Sequence, residues 1–262
     1  DSSHTTLQTY FDMNSARIVL DKFGSPDFIT FTNVFAHIEN LPELLDNLRL
    51  LVTEKTVIII ENHYLGAILL TEQFDTYYHE HPRTYSHRSF VNIAKSLKME
   101  LLDAQYVSRY GGNIRVYLGN GQAKSISGTD ESKFIDQFDK LTEDIEVWKV
   151  NTRDWITKHV EKNGKMRAKA FPGRAAILIK VLGLDESQMS AVYEIKGSLK
   201  VGHYVPGTRI PILPEAELYT LDNQDETILN LAWHIPGEVR ANLTLNGYTG
   251  EVLDIKSMVS LI

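Results

Sequence analysis

Apolar residues recur along the chain at two periods, and the switching between them separates strand-like from helix-like segments. Residues 28–31 predict a short buried strand, and 41–51 a helix with Leu41, Leu44, Leu45, Leu48 and Leu51 on one face. The β-branched run 57–60 predicts a second strand and 89–97 a second helix. Two further strands, 101–107 and 114–118, meet through Gly111-Gly112, a pair suited to a tight or bulged antiparallel turn. Parallel strands need crossover helices, so the order β-α-β-α-β-β predicts the back half of a parallel α/β sheet closed by an antiparallel pair. A doubly wound sheet normally opens on a glycine-rich strand-to-helix turn that receives a cofactor. No G-x-G occurs before Gly111, so the expectation is that this chain lacks the front half of such a fold.

Beyond this region, Phe134, Phe138, Leu141, Ile145 and Trp148 alternate spacings of four and three within the charged stretch 133–158. That is the pattern of an amphipathic helix packing across a sheet or bridging two domains, with Asn163-Gly164 as its stop signal. A second α/β pattern follows: strand 166–171, helix 174–182, strand 191–195 and strand 227–232 ahead of Pro236. Residues 200–211 are rich in turn formers and predict an ordered loop.

Composition narrows the possibilities. With 262 residues, 43% of them hydrophobic, the chain can bury one large core or two modest ones. The longest apolar runs, 57–60 and 175–179, fall far short of the roughly 20 residues of a membrane span, so no membrane partner is expected. The start of the sequence has no basic segment followed by an apolar one, and a cytoplasmic setting is the expectation. The absence of cysteine removes disulfides, thiolate catalysis and Cys-ligated zinc, although His, Asp and Glu could still hold a metal. A formal charge of −7 argues against a broad nucleic-acid surface but leaves room for a small anion where basic residues cluster.

The densest chemistry lies at Tyr77, Tyr78, His79, Glu80 and His81, followed by Pro82, Tyr85, Ser86 and His87. Imidazoles titrating near neutrality, a carboxylate to orient them and a phenol to donate to an oxyanion are the components of a general acid–base site. Pro82 forces His81 out of helical geometry, which places the cluster on a loop after the second strand and a short helix. Two other readings stay open on these residues alone: solvated surface histidines, or metal ligation by His79 and His81, for which the helical i, i+4 spacing is missing. His37, directly after the first strand, is either a cap or packing histidine or a member of the same site. Pro172-Gly173-Arg174 opens a helix, where backbone N–H groups and the arginine could bind an anion. The loop 200–211, with Lys196, Lys200 and Arg209, would give this acidic chain a local basic patch, or be a structural loop with solvated charges. Asn242-Leu243-Thr244 matches a glycosylation sequon and is taken as chance.

Taken in order, Asn33-Val34-Phe35-Ala36-His37, Glu61-Asn62-His63-Tyr64-Leu65, the stretch from Phe74 to His81, Gly111 to Tyr117, Pro206 to Pro211 and Leu231 to His234 resemble the nucleotide-linked deoxysugar C-methyltransferases. The resemblance covers nearly the whole chain. It implies an α/β fold: the back half of a class I methyltransferase-like sheet (1–124), an amphipathic helical linker (125–164) and a C-terminal α/β domain that helps hold a nucleotide sugar (165–262). It also implies S-adenosylmethionine as methyl donor, with Asn33 and Phe35 on its side of the site. Catalysis would fall to His81 as base, with Tyr78, Glu80 and His37 positioning the sugar or stabilising an enolate. Arg174, Lys200, Tyr204 and Arg209 would contact the nucleotide sugar, and no metal takes part.

Complete enzymes of this kind also carry a small N-terminal zinc module, a cofactor-binding glycine loop and an acidic residue for the cofactor ribose, none of which is in this sequence. Where they have Tyr-Gly-Ala-Pro-Ala-Lys, this chain has Lys169-Ala170-Phe171-Pro172-Gly173-Arg174. Two alternatives follow from these departures. One is a dependent fragment that binds a nucleotide sugar while another polypeptide or domain completes the cofactor site. The other is a nicotinamide-dependent sugar oxidoreductase.

Overall fold

In the computed structural model, residues 4–124 and 130–257 are described. The chain forms two compact units, one of residues 1–73 and 79–137, the other of 74–78 and 138–262. No contiguous division of the sequence expresses this arrangement, because the short stretch Phe74–Tyr78 belongs to the second unit. The boundary expected at 124/125 adjoins residues 125–129, which lie outside the described residues.

The first unit opens with α1 (Met13–Phe23), followed by β1 (Phe28–Thr32), α2 (Leu41–Leu51), β2 (Val57–His63), α3 (Leu65–Leu70), α4 (His87–Ser96), β3 (Glu100–Val107) and β4 (Asn113–Gly119). Helix α1 buries only Ser15 and Ala16, and its start is set by Asp12, whose carboxylate accepts from the Ser15 N–H. The expected helix at 89–97 starts two residues early because Ser86 caps it. β1 and β2 run parallel, as their crossover requires, while β4 is antiparallel to both β2 and β3. The sheet order is therefore β1-β2-β4-β3, with the last strand inserted between β2 and β3. A core of Phe35, Leu48, Ile58, Ile60, Phe90, Ile114, Val116 and Leu118 is sealed against the sheet by the leucine face of α2 and by α4.

The long helix α5 (Phe134–Asn163) leads into the second unit, where Trp148 is buried and donates its indole N–H to Ile255 O at 3.0 Å. Then come β5 (Met166–Lys169), α6 (Ala175–Leu182), β6 (Met189–Glu194), β7 (Ile212–Pro214), α7 (Glu215–Leu218), β8 (Ile228–Asn230), α8 (Pro236–Leu245) and β9 (Val252–Asp254). All five strands are parallel, in the order β7-β6-β5-β8-β9. This is a sheet wound outward in both directions from β5. Three-residue strands are too short to show a period, so β7 and β9 escape sequence reading. Helix α8 escapes it for another reason: Pro236 marks the first turn of a helix, where its missing N–H costs nothing. Among the described residues no helix is long and apolar enough to cross a membrane.

Candidate functional site

The parallel pairing of β1 with β2 ends at Thr32 opposite Glu61, while β2 runs on through Asn62 and His63 against β4, so Asn33, Asn62 and His63 come together at the carboxyl end of the pair. Such carboxyl ends are where open α/β sheets place their ligands. Asn33 takes a left-handed backbone (φ 53°), which turns the chain sharply into the short helical turn Phe35–His37. A cavity of about 150 Å³ opens here, lined by Asn33, Ala36, His37, Asn62, His63, His81 and Tyr110. The His81 ring meets His37 edge-on at 4.7 Å between centroids and His63 at 5.7 Å. Among the described residues no three His, Asp or Glu side chains are grouped so as to hold a metal ion. The three imidazoles are thus gathered at one cavity.

Behind this cavity runs a buried polar ladder. The Asn113 amide donates to Asn33 Oδ1 at 3.0 Å and to Glu61 Oε1 at 3.2 Å, while Glu61 Oε2 accepts from Arg115 Nε at 2.8 Å and Nη2 at 2.6 Å. Burial pushes the Glu61 carboxyl up, but the hydrogen bonds from Arg115 and Asn113 outweigh it, and the net effect holds Glu61 below its ordinary value. An ionised carboxylate therefore anchors the amide that orients Asn33, a fixed arrangement of dipoles at the cavity mouth.

Of the residues expected from sequence, His37 and His81 come together. Glu80 is exposed on the loop just before His81, and Tyr78, half-buried, ends the stretch 74–78 of the second unit. The Phe35 ring is fully buried, packed on Phe31 at 5.5 Å and Tyr85 at 5.2 Å, so its side chain builds the core. Asn62, His63 and Tyr110 were given no role by sequence reasoning. The signal for the first two was available, since they sit at the end of a strand whose neighbour ends in the Asn33–His37 turn.

In the second unit the winding reverses at β5, and the segments that leave β5 and β8 face each other across the switch point. That crevice is filled by the protein's own carboxylate. Asp75, fully buried, accepts from Arg174 Nε and Nη2 at 2.7 Å each and from Trp233 Nε1 at 2.8 Å. The Arg174 guanidinium also lies 5.0 Å from the Trp233 ring, and Phe74 packs on Trp148 at 5.1 Å. Arg174 was expected to offer its charge to a ligand anion; Asp75 already neutralises it. The expected basic patch is also divided. Lys200 donates to Phe171 O, just past the end of β5, whereas the Arg209 backbone N–H reaches Glu186, ahead of the start of β6. Loop 200–211 thus anchors the Lys200 side chain and the Arg209 backbone at opposite ends of the sheet. Tyr204 is 60% exposed and bridges to Pro211.

Fold and site together define an α/β protein of the methyltransferase class, and comparison with known proteins agrees. A family model described as the C-methyltransferase C-terminal domain matches residues 108–250, and one described as a methyltransferase domain matches residues 5–107. The chain belongs to the C-methyltransferase family. It is similar to the C-methyltransferase NovU of Streptomyces niveus, with 22% identity over 253 residues, 92% of this chain and 60% of that protein. The chain thus spans 60% of the length of the curated relative it matches.

Proposed function

We propose that the chain provides the proton-abstracting half of an S-adenosylmethionine-dependent C-methyltransferase acting on a nucleotide-linked keto-deoxysugar. The observation that carries this reading is the His81 ring, set between His37 and His63 in a small cavity at the ends of two parallel strands. A carbon is methylated only once it carries an electron pair, and a proton beside a ketone is the accessible source of one. His81 takes that proton; the C–H pair becomes the enolate, with its charge on the ketone oxygen. The enolate carbon then bonds the methyl group as the carbon–sulfur bond breaks, leaving a neutral thioether. His37, Tyr78 and Glu80 serve to position the sugar or stabilise the enolate oxygen.

S-adenosylmethionine, when bound, supplies an electrophilic methyl group. Asn33, at the edge of the cavity, is the residue assigned to the donor's side of the site. Lys200 and Tyr204 remain the candidates for the nucleotide sugar in the second unit. Holding the two reactants in line removes the entropy of their encounter, and donors aimed at the oxyanion add roughly 3 to 4 kcal/mol.

The test is to incubate the native polypeptide carrying this chain with S-adenosylmethionine and a 4-keto-deoxysugar linked to thymidine diphosphate. Mass spectrometry should show the added methyl group and, in D₂O without donor, exchange of the proton beside the ketone. Neither product nor exchange, across several nucleotide keto-sugars, would reject the reading.

A further inference from the structure

Asn62 is 2% exposed and lines the histidine cavity. Its two amide atoms have different fates. Oδ1 accepts the backbone N–H of Ala36 at 3.3 Å, which fixes the side-chain orientation, because that buried N–H needs an acceptor and only the oxygen can serve. Nδ2 is then left buried with no hydrogen-bond partner. A buried donor left unsatisfied costs about 1 to 3 kcal/mol, so such a group persists where something else satisfies it part of the time.

We infer that Asn62 is a catalytic residue whose Nδ2 donates a hydrogen bond to the ketone oxygen of the substrate as it becomes an enolate oxygen. This rests on the proposed reaction and deepens it. The geometry has the features that make such a donor effective. Asn62 is the penultimate residue of β2, directly before His63, and follows Glu61, the last β2 residue paired with β1. Its orientation is set in advance by a main-chain bond, so it does not have to reorganise while charge develops. It is also shielded from bulk water, where the same hydrogen bond would be worth little. A base and a fixed donor lining the same cavity divide the work of enolisation: His81 receives the proton, and Asn62 stabilises the charge left behind. Unlike a protonated imidazole, an amide donor does not titrate, so its contribution is constant across pH.

The informative variant is Asn62→Asp in the native polypeptide. A carboxylate oxygen can still accept the Ala36 N–H, so the local fold keeps its anchor, while the donor is replaced by an acceptor. The readouts are kcat and KM with a thymidine-diphosphate-linked 4-keto-deoxysugar, and the rate of solvent deuterium exchange beside its ketone. We expect kcat and exchange to fall together by about 10²- to 10³-fold, with little change in KM for the methyl donor. Asn62→Ala, checked by thermal melting, should give a loss of the same order without the added negative charge. Exchange and kcat within about threefold of the parent in a folded variant would overturn the role of Asn62. If the unsubstituted protein itself shows neither exchange nor methylation, the reading of the whole site fails instead, so the two failures are distinguishable.

Discussion

Arg174 holds Asp75 in a two-point fork, both contacts at 2.7 Å, with the carboxylate fully buried and the guanidinium stacked on Trp233. A crevice that in this kind of sheet would receive a ligand is thereby given to a segment of the same chain, three residues ahead of Tyr78. Removing one partner strands the other charge in the interior, at a cost of about 3 to 5 kcal/mol. Arg174→Ala should therefore lower the denaturant midpoint of the second unit substantially. Trp233→Phe, which removes only one hydrogen bond to Asp75, should cost about 1 kcal/mol. Equal effects in chemical denaturation would mean that the ion pair is not what holds the segment.

Replacing His81 tests the base directly. His81→Ala should abolish methyl transfer and deuterium exchange while nucleotide-sugar binding, measured by calorimetry, is retained. Turnover that survives the substitution would remove His81 from this role.

Tyr78→Phe separates two uses of a phenol. Donation to a developing oxyanion lowers kcat and kcat/KM together, whereas ground-state binding raises KM alone. The expected result is the first, by about tenfold or more; a pure KM effect would reassign Tyr78 to holding the sugar.

Stability should fall with pH before the carboxylates titrate. Burial, with the Arg174 charge adding to it, brings His234 down from 6.5 to about 4, against the opposing pull of Asp75 and Glu238. The unfolded chain then binds a proton that the folded one refuses. The stabilisation is complete above pH 6.5 and is lost as pH falls towards 4, at no more than about 1.4 kcal/mol per pH unit. His234→Gln should flatten the slope of denaturant stability between pH 6.5 and 4.5; an unchanged slope would place its origin elsewhere.

Glu61 acts in a lower window. Its folded value is depressed below 4.5 by Arg115 and Asn113, so the stability it adds is present above pH 4.5 and disappears as pH drops through the folded value. Glu61→Gln should weaken the first unit at pH 7 and remove that part of its acid sensitivity, readable by melting at pH 7 and pH 3.5.

What the sequence by itself determined was whatever is written in local periodicity and spacing. The leucine face of α2, the β-branched core of β2, the antiparallel turn at Gly111-Gly112 and the long stripe of α5 were all legible, because each element's burial pattern lies within a single window of residues. The histidine-rich loop was legible too, since Pro82 and the density of chemical groups are local facts. Tertiary structure alone decided the rest. It inserted β4 between β2 and β3, buried the Phe35 ring in the core, and anchored the Lys200 side chain and the Arg209 backbone at opposite ends of a sheet. Tertiary structure also brought Asp75 to Arg174 across 99 positions of chain, and left Asn62 Nδ2 buried without a partner. These outcomes depend on long-range pairing and on which polar groups find partners after the core has closed, and no run of neighbouring residues encodes either.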